Sequence, residues 1–246
     1  MSIADKLQTI VENEQKVYNA GYEKGKAEGG SDSYYDDFWD SFQDNGNRTD
    51  YRTSFTLKYW NETTFKPKYL IKPVGSANSM FSQFNMQSTL QQSLFDFTDV
   101  PIDVSEVTDA GGLFANACVT NLVLKFSESV KTLDNAFTKG QGGGVAGMHL
   151  TLLVPNANCT WNNTFSYHRI VRLILLEGTV IGKNGFNVQW ATALPKEDLI
   201  GILNALEDKT SDTSGTQWVV TLGTTNLAKL TDIEKAIATE KGWTLA

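Results

Sequence analysis

Between residues 2 and 27, Ile3, Leu7, Ile10, Val11, Val17 and Tyr18 recur at three- and four-residue steps with Asp, Glu and Lys between them. This spacing predicts a helix with one apolar stripe. Ile3, Leu7, Ile10 and Val17 fall at seam positions, and Glu14 and Gly21 interrupt them. The stripe is short for a free-standing coiled coil, so the helix either zips with copies of itself or docks on another protein. Self-pairing is expected, which makes the chain a homo-oligomer through residues 1–30. Gly21, Gly25, Gly29 and Gly30 weaken and end this stem.

Residues 31–75 are dense in aromatics. Tyr34, Phe38 and Phe42 sit four apart on one face of a short helix, and Phe55, Leu57 and Tyr59 alternate as in a strand. Asp44-Asn-Gly-Asn between them is a turn signal. The segment is expected to cap the open end of the remaining chain.

From residue 76 the pattern repeats weakly. Asn78-Ser-Met-Phe81, Gly111-Gly-Leu-Phe114, Asp134-Asn-Ala-Phe137 and Asn162-Asn-Thr-Phe165 align, with phenylalanine steps of 33, 23 and 28 residues. Apolar runs come after them at Leu122–Phe126, Leu150–Val154 and Leu173–Glu177. Each unit is a turn plus a strand of repeat-protein size, too small to bury its own apolar face. Stacked copies would form a parallel sheet, with Phe81, Phe114, Phe137 and Phe165 as an internal column. The fold class expected over 76–190 is therefore an α/β repeat, a leucine-rich-repeat-like solenoid of irregular units. Gly140–Gly144 sits where a longer unit needs a loop. Residues 191–246 read as more regular strand and helix units. Leu199, Ile202, Leu203 and Leu206 share a helical face behind Pro195, and Trp218–Leu222 is a strand. Thr231–Lys241 is a helix capped by Thr231 or Asp232, and Trp243–Leu245 is a last strand.

These residues together resemble leucine-rich-repeat proteins of the BspA-like kind, found in tailed phages and prophages of gut bacteria and in related bacterial surface proteins. The carriers are the stem ending Glu12–Gly21, the Phe38-Trp-Asp and Gln43–Thr49 segment, Trp60–Pro67, the four Phe blocks, and the ending Leu199–Leu206, Val219–Leu222 and Gly242–Leu245. The resemblance covers most of the chain. It implies a virion-associated, tail or adhesin-like protein without catalysis, oligomeric through its stem, whose partners are other virion proteins or a host cell-surface glycan or protein. It implies no particular ligand. The Gly140–Gly147 insertion and the 33-residue first step depart from tidier members.

Bulk composition narrows the possibilities. The 246 residues make one domain with appendages or two small ones, and 41% hydrophobic with 20% charged residues is ordinary globular usage. With 21 Lys+Arg against 28 Asp+Glu, the net charge of -7 disfavours a nucleic-acid partner. Cys118 and Cys159 lack metal-ligand spacing and are expected as free packing thiols. The start has no signal-peptide pattern, and the run Ile170–Leu176 is broken by Arg172, so neither secretion nor membrane insertion is expected; the resemblance implies a virion component made in the bacterial cytoplasm. The sequons at Asn47, Asn61, Asn158 and Asn162 would matter only on a eukaryotic secretory route.

Candidate chemistry is sparse. Gly142–Gly147 matches a dinucleotide pattern but precedes a strand and opens no helix, so no phosphate cofactor is assigned. His149 and His168 have no ligand or nucleophile at useful spacing and read as solvent-facing turn polarity. The acidic run Asp32, Asp36, Asp37, Asp40 and Asp44 fails the calcium-loop pattern. No catalytic, cofactor or metal residue is proposed. Trp60, Trp161, Tyr167 and Trp190 are the candidate ligand-surface aromatics, able to stack on sugar rings if exposed. Two other classes stay open. A carbohydrate-active repeat enzyme would need carboxylates on successive strands, where the runs offer little beyond Glu177. A cytoplasmic scaffold would bind protein on its sheet.

Overall fold

The computed structural model describes Phe55 and residues 70–84, 94–138, 147–166 and 170–246. The stem residues Ile3, Leu7, Ile10 and Val17 lie outside the described residues, as does the cap apart from Phe55 and residues 70–75. The described chain is α/β, with short parallel strands in small sheets and few helices. In chain order these are β1 (Gly75–Ser76), β2 (Phe95–Asp96), β3 (Val107–Asp109), β4 (Val119–Thr120), β5 (Leu122–Lys125), β6 (Met148–Leu153), β7 (Ile170–Leu175), α1 (Lys196–Asn204), β8 (Trp218–Val220), α2 (Thr224–Leu227), α3 (Asp232–Glu240) and β9 (Trp243–Leu245). β1 pairs with β3, β2 with β4, β6 lies between β5 and β7, and β8 pairs with β9. All these pairings are parallel.

The four Phe blocks are turns with one geometry. Ser79, Gly112, Asn135 and Asn163 occupy the same place in their blocks, and all have left-handed φ of 56°, 62°, 59° and 55°. Glycine and asparagine tolerate that conformation best among the residues, which explains three of the four. Alternate amides close the turn on itself, as Met80 N–H to the Ala77 carbonyl and Leu113 N–H to that of Ala110. The amides between them reach the following block. Ala77, Ser79 and Phe81 donate to Asp109, Gly111 and Leu113; Ala110, Gly112 and Phe114 donate to Thr132, Asp134 and Ala136; Leu133, Asn135 and Phe137 donate to Thr160, Asn162 and Thr164. The blocks therefore hydrogen-bond layer to layer without being strands.

Their phenylalanines form the core between them. Phe81 and Phe114 stack with centroids 4.7 Å apart, Phe114 and Phe137 at 6.1 Å, and Phe137 and Phe165 at 5.9 Å, with Phe55 stacked on Phe81 at 4.8 Å. All five rings are fully buried. Side chains tie the layers at the rim as well. Asp134 accepts from the Asn162 amide N–H at 2.8 Å and from its Nδ2 at 3.0 Å, and Thr160 Oγ1 donates to Thr132 Oγ1 at 3.0 Å.

The expected parallel sheet is interrupted. Asn121, with φ of 52°, separates β4 from β5, and the register shifts between Met148 and His149. Left-handed residues cannot continue a strand, and between the second, third and fourth Phe blocks pairing is reduced to single bridges, Asp109 with Thr132 and Thr132 with Thr160.

The C-terminal portion is more regular. α1 buries Leu199, Ile202 and Leu203, while Leu206 lies just beyond it and pairs with Ile181. Thr231 caps α3 through a reciprocal capping box with Glu234. α3 packs on α1 and on β9. Lys241 Nζ donates to the carbonyls of Asn204 and Leu206 at 2.6 and 2.8 Å, beyond the end of α1.

Candidate interaction surface

The strands β5 and β6 follow a period of two, and β7 joins that pattern from Arg172 onward, after the register shift. Leu122, Leu124, Met148, Leu150, Leu152, Ile170 and Leu173 point inward and are buried. The alternate positions form rows across the sheet. Val123, Thr151 and Ile174 are in register on the outer face, where Val123 is 51% and Ile174 41% exposed. His149 aligns with Arg172 on one side of this row, and Lys125 aligns with Leu153 on the other. Among the described residues the charged side chains at these outward positions are cationic.

Arg172 is held by a carboxylate from the next element. Asp198, in the first turn of α1, accepts from Arg172 Nε and Nη2 at 3.0 Å each and from the Leu173 backbone N–H at 2.8 Å. That carboxylate is almost wholly buried, whereas Arg172 keeps 45% of its side chain in solvent. It closes the edge of β7 where a further strand would otherwise pair. Asn121 Nδ2 donates to Asp96 Oδ2 at 2.9 Å, and the Thr98 hydroxyl first, then the Thr98 backbone and Asn121, outweigh burial and hold Asp96 below the usual carboxylate range.

The ligand-surface aromatics do not gather. Trp60 and Tyr167 lie outside the described residues. Trp161, expected on the surface, is instead fully buried against Phe165 and Phe186, with centroids 6.2 and 5.2 Å away. It occupies the inward place that Ala77, Ala110 and Leu133 hold in the earlier blocks, so its size fills core rather than facing a ligand. Its Nε1 has no hydrogen-bond partner. Trp190 is 52% exposed, in a turn between β7 and α1.

His149 is exposed as expected, but on a strand and not in a turn, and His168 lies outside the described residues. Glu177 is exposed in the turn after β7. Cys118 and Cys159 are both free and buried. Burial, with the nearby Asp134 carboxylate adding to it, pushes the Cys159 thiol up to about 12, which leaves it a packing group at neutral pH. Among the described residues no group of three or more His, Cys, Asp and Glu side chains is placed to hold a metal ion, and no helix is long and apolar enough to cross a membrane.

Sequence reading missed the outward row. Val123 and Ile174 sit inside runs such as Leu-Val-Leu, where continuous apolarity hides which alternate position faces out. Comparison of the chain with known protein families, with characterised proteins and with solved structures gives no match.

Proposed function

We propose that the chain is a non-catalytic structural or adhesion component, a leucine-rich-repeat-like solenoid of the BspA-like kind, carried on a phage tail or virion and presenting the β5–β7 face to a host or particle partner. The observation that supports this reading is the unbroken stack of buried rings from Phe55 to Phe165. A core made by stacking spreads its layers along one axis and leaves an extended, laddered surface for contact. That surface exposes Val123 and Ile174 in one row with Thr151, which gives a partner aliphatic side chains to lie along.

The test is location. Antibodies raised against the purified chain should label intact particles recovered from producing bacteria, and the chain should co-sediment with them. Recovery of the chain only in the soluble lysate would overturn the particle reading.

A further inference from the structure

We propose that the outer face of β5–β7 takes an acidic polypeptide segment bearing aliphatic side chains. This rests on that face being a contact surface and adds the chemistry of its occupant. The row Val123, Thr151, Ile174 offers β-branched side chains across neighbouring strands, which lie roughly 4.8 Å apart. Aliphatic groups of a partner gain most by lying along this row.

Charge selects the rest of the partner. The chain carries -7 overall, yet the charged groups on this face are Lys125 and Arg172, with the His149 imidazole beside them. Asp198, the carboxylate bonded to Arg172, is buried and already engaged by Arg172 and Leu173, and the exposed Glu197 beside it adds a weaker attraction to Arg172. Two of the five guanidinium N–H donors of Arg172 are used in that pair, which leaves others for a second acceptor. Among the described residues Lys125 enters no ion pair. A basic partner would meet these donors without an acceptor, while a carboxylate-bearing one supplies the missing half. The outward positions carry no Phe, Tyr or Trp ring, so a sugar has no broad stacking platform here.

The test uses the full chain and two fluorescein-labelled twelve-residue peptides, one alternating Glu and Val and the other Lys and Val, followed by anisotropy at low and high salt. The Glu peptide should bind at least tenfold tighter than the Lys peptide, and its affinity should fall as salt rises. Val123→Asp and Lys125→Glu should each weaken it about tenfold while the thermal unfolding curve stays in place, both side chains being exposed. Equal affinity for the two peptides, abolished for both by Val123→Asp, would overturn the acidic partner and keep the face. Binding of both peptides untouched by Val123→Asp would overturn the face as well.

Discussion

Asn226 is fully buried, and its Nδ2 lies 3.0, 3.3 and 3.4 Å from the carbonyls of Leu222, Val188 and Ala191. Its Oδ1 accepts from Lys229 Nζ, which also donates to Thr192 and Leu194 at 2.7 and 2.6 Å. Burial draws the Lys229 ammonium below the usual lysine range, so these oxygens are what keep it in place. Asn226→Ala should lower the unfolding free energy by about 2–3 kcal/mol, because it removes a fully buried amide that donates to the Leu222 carbonyl and takes one of three acceptors from Lys229. Urea unfolding measures this, and a loss below about 0.5 kcal/mol, the range of surface changes, would contradict it. Such a residue is not legible in sequence. Thr224-Thr-Asn-Leu reads like any polar turn, since nothing local reports that Asn226 faces carbonyls more than thirty residues earlier. Gly112, Asn135 and Asn163 were better signposts, because their types favour the left-handed backbone they adopt, and Ser79 was not.

Strands and helices were the most readable scale. The runs at Leu122, Leu150 and Leu173 overlap β5, β6 and β7, the last two strands starting two and three residues earlier, and of Thr231 and Asp232 it is Thr231 that caps α3. How the sheet ends was hidden, because it depends on Asp198 arriving beside β7 from another element. Asp198→Ala should cost about 2–3 kcal/mol by leaving the Leu173 N–H unpaired in the interior, and Asp198→Asn should cost less. Equal melting points for the two variants would count against a hydrogen-bonding role. The capping box of α3 sets a second expectation. The Lys196 ammonium, ahead of the Thr231 backbone, holds Glu234 down to about 2 from an ordinary 4.5. A depressed folded pKa gives stability that is complete above the ordinary value and is lost as pH falls toward the folded one. The melting point should therefore drop between pH 4.5 and about 2, less steeply in Glu234→Gln. Parallel profiles for wild type and variant would refute this.

At the scale of the molecule, the layers hold together through neighbours. Phe114 stacks on Phe81 and Phe137 and meets Phe97 edge-on at 5.3 Å. Phe114→Ala should remove about 3–5 kcal/mol and weaken the contact on both sides of its layer at once. Calorimetry should then show a broader transition than wild type, the sign of halves that no longer melt as one. A sharp transition with an unchanged midpoint would show that the column is not what couples the layers. The steps of 33, 23 and 28 residues already pointed to that column, whereas the turn geometry that aligns it required coordinates.

At the alternate backbone amides of the Phe blocks the bonds run one way, from the N–H of the earlier block to the carbonyl of the later. The stack is thus polar like a row of bar magnets, with acceptor oxygens looking toward the first block and donor hydrogens toward the last. A unit added within the stack would have to enter the same way up, because one turned end for end would set N–H against N–H at one seam and carbonyl against carbonyl at the other.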